Sequence, residues 1–221
     1  MDEAEALATA GAAHGTVVTA DAQRAGRGRR GRQWAAPPGS GVNLSVILRP
    51  ALEPALASPI TLAAGIAVCD LVNSRGCESS IKWPNDVLVG GRKIAGVLTE
   101  MSTSGTKLDY VIMGIGINVT EVPAEVADIA TALAHCGRAT SADEVLRELL
   151  PGLERMLDRF FAGGVEAIAD DWRARALLGV PVEGANGVRG RAIDLAPSGA
   201  LVVKDSGGRC HHIVAGELSW G

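Results

Sequence analysis

Aromatic side chains are scarce in this chain: four Trp, one Tyr and two Phe among 221 residues. Proteins that hold single-stranded nucleic acid stack bases on several rings, and the one strongly basic loop here carries a single ring, Trp34. Cysteine offers little either. Cys69, Cys77, Cys136 and Cys210 are scattered, with no CxxC pair and no secretory context, so reduced thiols in a reducing cytoplasm are expected. Cys210, His211 and His212 stand together but lack further ligands at zinc spacing, and read as a solvated strand. No uninterrupted apolar run reaches the roughly 18 residues a membrane span needs. The N-terminus MDEAEALATAG lacks the basic start and apolar stretch of a signal peptide. The expectation is a soluble cytoplasmic protein with no membrane partner.

What is present is ordinary in bulk and uneven in detail. Hydrophobic residues make up 47% of the chain and charged residues 21%, which excludes a disordered chain. The length suits a medium domain with a small appendage. The formal charge of -4 is the sum of two unlike parts. Five arginines (Arg24, Arg27, Arg29, Arg30, Arg32) crowd residues 24–32 with no acid among them, and the remainder holds 16 basic against 25 acidic residues, or -9. An acidic body with one cationic loop fits a local anion better than a long polyanion, so no nucleic-acid partner is expected. Lysine is rare beside arginine, 4 against 17, yet two of the four, Lys82 and Lys93, fall 11 residues apart in one motif.

Read for local structure, residues 3–13 form an alanine-rich helix and 16–20 a strand, followed by a long Gly/Arg/Pro loop over 21–41. Residues 42–48 form an apolar strand. Ser58 with Pro59 reads as an N-cap and first helical position for a buried helix ending near Ser74. Sheet follows, joined by hairpins: short segments at 81–84 and 87–89, a return strand at 93–101, and a strand at 110–119. Ser141 and Glu144 form a capping box for a long amphipathic helix, kinked or divided at Pro151 and ended by Gly163 and Gly164. Residues 165–176 read as a further helix. After Gly179 come short alternating segments with Gly-rich turns, the pattern of a small barrel. The domain boundary falls near 178, giving 1–177 and 178–221.

Three motifs carry chemistry. GRGRRGRQW (Gly26 to Trp34) combines glycines that let backbone amides face a ligand with planar guanidinium forks for phosphate or carboxylate. It is neither a Walker loop nor a dinucleotide fingerprint, because no GK[ST] follows and no GxGxxG opens a helix. A flexible surface loop or an RNA-binding RG loop remains open on composition alone. KWPNDVLVGGRKIAGVLTE (Lys82 to Glu100) brings two lysines, Asn85 and Asp86 to one end of a hairpin; a solvated hairpin with turn-forming Asn85 and Asp86 and a core Trp83 is the alternative. In GIGIN, Gly114 and Gly116 open one strand face for close approach and Asn118 offers a donor and an acceptor.

Taken together, in this order and at these spacings, the motifs resemble the biotin protein ligases, and the resemblance runs from about residue 2 to the C-terminus. It implies an α+β fold, a mixed sheet with helices like that of class II aminoacyl-tRNA synthetases, with a small SH3-like β-barrel after residue 177. It also implies a ligase that activates biotin with Mg·ATP as biotinyl-5'-AMP and passes it to a lysine of a biotin carboxyl carrier protein. By motif position, Gln23, Arg27, Gly28 and Arg29 resemble the biotin and adenylate loop, and Lys93 the lysine at biotin and the reacting phosphorus. Lys82 then assists at the phosphates, Asn85 and Asp86 meet nucleotide, Mg2+ or the acceptor lysine, Gly114, Gly116 and Asn118 line the pocket, and Trp34 covers the ligand or serves as a hinge.

The resemblance has one gap. Family members carry an STN tripeptide on a strand ahead of the first helix, and here Met1 and Asp2 stand where it would end; a start assigned too late is the expectation. A DNA-binding winged helix, and with it a repressor role, is not expected, and a homodimer stays open. Two other classes compete with it: a lipoate or octanoate transferase of the same fold group, against which the full KWPND hairpin and arginine loop argue, and a nucleic-acid-binding module.

Overall fold

The computed structural model describes residues 1–137, 140–184, 187–214 and 218–220. Its first sheet has six strands: β1 (Thr16–Thr19), β2 (Gly41–Leu48), β3 (Ser79–Lys82), β4 (Asp86–Val89), β5 (Arg92–Ser104) and β6 (Lys107–Asn118). They lie in the order β1-β2-β6-β5-β4-β3, and every ladder is antiparallel. The expected mixed sheet is thus corrected. Hairpins join β3 through β6, and such short connections favour antiparallel neighbours; the parallel pairings among the described residues are two isolated bridges, Ile81 with Ala176 and Lys93 with Ala130.

Alternation along the central strands divides the sheet into two unlike faces. Val42, Leu44, Val46 and Leu48 of β2 and Val111, Met113, Ile115 and Ile117 of β6 belong to the main core. That core is covered by helices α2 (Ile60–Ser74) and α3 (Ala142–Gly163). The intervening residues, Asn43 and Ser45 on β2 and Gly114, Gly116 and Asn118 on β6, point to the other face. Helix α1 (Asp2–Thr9) covers only part of it, through Ala4 and Ala8 packed on Ile47 and Ile112. The uncovered part is where a ligand can enter.

Helix α2 begins after a short 3-10 turn at Pro54–Leu56 and has no side-chain cap; Pro59 is its N-cap, one residue past the expected Ser58, and the Thr61 hydroxyl donates to the Ser58 carbonyl at 3.1 Å. Residues Pro54–Ser74 are apolar enough on average to cross a membrane by length and composition, although no uninterrupted run is. Their side chains are committed to the core, with Ile60, Leu62, Ile66 and Val68 at most 1% exposed. In α3 the capping box forms as read, with Ser141 accepting from the Glu144 amide at 3.3 Å. Pro151 neither divides nor ends it. The residue is exposed, so the backbone bond it forfeits lies on the wet side of the helix. The helix expected over 165–176 shrinks to a 3-10 turn, Glu166–Ile168, and α4 (Ala169–Arg173), which buries Trp172. Cys77 and Cys136 are joined as a disulfide, 59 residues apart, which corrects the expectation of four reduced thiols; Cys69 and Cys210 are free.

The C-terminal strands β7 (Pro181–Gly184), β8 (Arg189–Leu195), β9 (Leu201–Lys204), β10 (Cys210–Ile213) and β11 (Leu218–Trp220) form an antiparallel sheet in the order β10-β9-β8-β7-β11. Among the described residues β10 and β11 do not pair, so the expected barrel is an open sheet. Ala215, Gly216 and Glu217, inside the last alternating segment, lie outside the described residues. His211 of β10 pairs with Asp205 at 2.7 Å. The sheet shares the main core through Val182, Leu195, Leu201 and Val203. Its approach is tied to β3 by backbone bonds, the Ile81 amide to the Arg175 carbonyl and the Leu177 amide to the Ile81 carbonyl.

Candidate active site

Glycines make the floor of the site. The register across the sheet pairs Asn43 with Gly116, Gly116 with Gly96 and Gly96 with Asp86, so two glycines on adjacent strands meet in the middle of one row. In the next row Ser45 faces Gly114, and Gly114 faces Leu98. Without side chains on this face the backbone leaves a trough, and a cavity of about 260 Å³ opens above it. Trp34 lies directly on the floor: a Cβ at Gly116 would stand 2.4 Å from its indole. Met1 lies over Gly114 in the same way, 2.9 Å from where a Cβ would be.

The arginine loop forms the cavity's lid. It folds back on itself through two backbone bonds, the Gly28 amide to the Arg32 carbonyl at 2.7 Å and the Trp34 amide to the Gly26 carbonyl at 2.9 Å. Gly26 has to be glycine, since a Cβ there would meet the Trp34 carbonyl oxygen at 2.1 Å. Arg30 takes the left-handed conformation at the turn, φ 56°. Two side chains fasten the lid to the sheet. Arg27 pairs with Asp2 and, at 2.9 Å, with Glu100 of β5, while Arg29 donates to the Asn85 side-chain oxygen Oδ1 at 3.2 Å. Arg29 is held below the ordinary guanidinium value by burial first and by Arg30 next. The Asp86 carboxylate acts in the opposite sense.

The KWPND hairpin supplies one wall. Asn85 is fixed by its amide, which donates to the Val97 carbonyl at 2.9 Å, and so keeps its oxygen toward Arg29. Lys93 reaches over Gly96 to an ion pair with Asp86, Nζ to Oδ1 at 2.7 Å, and its ammonium stands 5.5 Å from the Trp34 ring centre. That Asp86 oxygen is buried and has ion-pair distance without hydrogen-bond geometry. The Trp34 indole nitrogen is also buried without a hydrogen-bond partner among the described residues.

Of the residues singled out from sequence, Gln23, Arg27, Gly28, Arg29, Trp34, Asn85, Lys93, Gly114 and Gly116 line this one cavity. Three do not. Lys82 and Asp86 are not among its lining residues, and Asn118 is 4% exposed with its amide donating to the Thr131 carbonyl, where it anchors the chain that returns beside Lys93. Sequence reasoning missed Gly96, Ser45, Leu98 and Glu100. For Gly96 the signal was available, a glycine inside a strand three residues after a lysine; Glu100 had none, because its role depends on the folded position of Arg27. No group of three His, Cys, Asp or Glu side chains gathers as a metal cluster among the described residues.

A glycine-floored cavity under an arginine lid, walled by a lysine and an asparagine, defines a binder of an anionic, partly apolar ligand. The chain belongs to the biotin/lipoate A/B protein ligase family, whose match covers residues 4–118. Over 215 residues it is 36% identical to the bifunctional ligase/repressor BirA of Bacillus subtilis, covering 93% of this chain and 66% of that protein, so it spans just under two thirds of that relative's length. It is 35% identical to the biotin–[acetyl-CoA-carboxylase] ligase of Paracoccus denitrificans, covering 99% of this chain and 96% of the relative. Among solved structures it is similar to the biotin protein ligase of Aquifex aeolicus in complex with biotin and ATP, with TM-score 0.84 and 31% identity over 98% of this chain and 93% of that one.

Proposed function

We propose that this protein is an ATP-dependent biotin ligase, which activates biotin as biotinyl-5'-AMP and transfers it to a lysine of a biotin carboxyl carrier protein. The observation that carries this reading is the stacking of Lys93 and Trp34 over Gly96 and Gly116, beneath a loop whose Arg29 is half-buried at the cavity. In the first step a carboxylate oxygen of biotin attacks the α-phosphorus of ATP, and the bond from that phosphorus to the bridging oxygen of pyrophosphate breaks. Two anions must approach, and negative charge builds on phosphate oxygens, so the protein has to supply cations and alignment; no protein nucleophile is needed.

The residues suit those tasks. Lys93 exchanges its Asp86 carboxylate for the reacting carboxylate and phosphate. Arg29 meets the adenylate phosphate, with Asn85 as its stay, and the free indole N–H of Trp34 offers one more donor. Gln23, Arg27 and Gly28 complete the lid. The Gly114 and Gly116 strand lets the apolar part of biotin lie against backbone, and Asn118 keeps its neighbouring loop in register. Lys82 and Asp86 stand toward the β- and γ-phosphates. Mg2+ arrives as Mg·ATP, and one carboxylate with an oxygen lacking hydrogen bonds fits an ion that keeps its phosphate and water ligands. In the second step the ε-amine of the carrier lysine attacks the mixed anhydride's carbonyl, AMP leaves and the amine loses a proton.

The setting we propose is cytoplasmic, with the carrier domain as macromolecular partner and without nucleic acid. The C-terminal strands would then serve as the family's SH3-like unit. Incubation with biotin, Mg·ATP and a carrier domain, followed by mass measurement of the carrier, tests the reading. Addition of one biotinyl group is expected, and an unmodified carrier with no AMP released would refute it.

A further inference from the structure

The two lysines of the KWPND hairpin are held in opposite ways. Lys93 has a carboxylate partner, Asp86, at 2.7 Å. Among the described residues Lys82 has none within ion-pair distance, although it is half-buried; what its ammonium faces is the ring of Trp220, 5.8 Å from the ring centre. Trp220 belongs to β11 of the C-terminal sheet, paired with Val182 of β7 and packed against the main core. An ion pair would spend the charge of a lysine. The face of an aromatic ring holds a cation without neutralising it.

The neighbouring residue repeats the arrangement. The Trp83 indole, 4% exposed, donates to the Gly199 carbonyl at 3.0 Å, and a Cβ at Gly199 would meet Pro59 at 2.8 Å, so the turn between β8 and β9 is pressed against the start of α2 while it holds the Trp83 ring. With the Ile81–Ala176 bridge, three successive residues of the hairpin, 81 to 83, are each gripped by the chain beyond α4. We propose that Trp220 is a positioning residue for catalysis, by which the C-terminal sheet holds the Lys82 ammonium un-neutralised and available to the nucleotide's phosphates. This rests on the ligase reading above. The charged groups around Lys82 are Asp86 of β4, which favours its ammonium, and Lys93 of β5 and Arg32 of the lid, which oppose it.

The test compares Trp220→Ala, Trp220→Leu and Trp220→Phe in biotin-dependent ATP–pyrophosphate exchange. Leucine keeps an apolar group on the core and removes the ring face; phenylalanine keeps the face. We expect both Ala and Leu to raise KM for Mg·ATP about tenfold with KM for biotin changed less than about twofold, and Phe to recover most of the loss. A leucine variant that binds Mg·ATP like the parent overturns the proposal, as does a phenylalanine variant as impaired as leucine. Calorimetric binding of Mg·ATP to Lys82→Ala, Trp220→Leu and the double variant separates this from the broader reading. Non-additive losses uphold the Lys82–Trp220 pair even if exchange with biotin is absent, which would refute the ligase reading alone; additive losses, or no Mg·ATP binding at all, overturn the pair.

Discussion

The side chain of Lys93 crosses Gly96 on its own strand: a Cβ at 96 would stand 2.9 Å from both its Cε and its Nζ. The atoms in conflict are the far end of a flexible side chain, so Gly96→Ala has a soft way out, with the ammonium swinging aside. Stability should therefore change by no more than about 1 kcal/mol, well below the cost of core overpacking, while adenylate formation falls by about 10- to 100-fold because the cation is displaced. Urea unfolding and pyrophosphate exchange on the same preparation check both halves. Equal loss of stability and activity would make the glycine a mere strand requirement.

Removing the cation itself is the harsher version. Lys93→Ala should lower biotin-dependent pyrophosphate exchange by about 100- to 1,000-fold, the range seen when one charge-stabilising group is lost. Circular dichroism should be unchanged, because Lys93 lies at the cavity and not in the core. An exchange rate within a few-fold of the parent would remove Lys93 from the reaction.

Arg29 is expected to act on retention more than on formation. It bridges the lid to Asn85 across the cavity mouth, so Arg29→Gly loses both a phosphate partner and a fastening. Biotinyl-AMP should then escape before transfer and label lysines of an unrelated bystander protein. Trapping released biotinyl-AMP after a single turnover measures this; release as slow as in the parent contradicts it.

Burial first, then Lys93 and Arg32, hold Lys82 below the ordinary lysine value, with Asp86 acting in the opposite sense. The sign follows: a lowered value means that the proton leaves at a lower pH than from a free lysine, so Mg·ATP affinity should begin to fall on the alkaline side before ordinary lysines titrate. Lys82→Arg should keep its charge and shift that fall to higher pH. Dissociation constants for Mg·ATP measured across alkaline pH check it, and an identical limb in the arginine variant would assign the fall to another group.

How far the sequence anticipates this arrangement depends on the range of the contacts. The three motifs are local, so the succession of hairpin strands after residue 80 and nine cavity-lining residues could be read before folding, whereas the pairing of β2 with β6 could not. Gly114 and Gly116 alternate on one strand, and period-two spacing tells that they share a face. What could not be read depends on distant partners. Trp83 and Gly199 are 116 residues apart, Cys77 and Cys136 are 59 apart, and no local signal links either pair. Asn118 ends its strand next to the lined face, yet a returning loop claims its amide. The helix over 142–163 is the reverse case: the division that Pro151 allows locally does not occur, because the residue is exposed and a long apolar stripe packs onto α2 on both sides of it.

The row Ser45, Gly114 and Leu98 runs across three strands, β2, β6 and β5, and all three residues line the cavity. A ligand lying along it touches no hairpin alone, so fraying of any one of these strands dismantles the whole contact surface. Occupancy should then act as a crosswise tie: amides of β2, β6 and β5 should slow their hydrogen exchange together on saturation, by a common factor set by ligand concentration over its dissociation constant, while β10 at the far edge of the second sheet keeps its own rate.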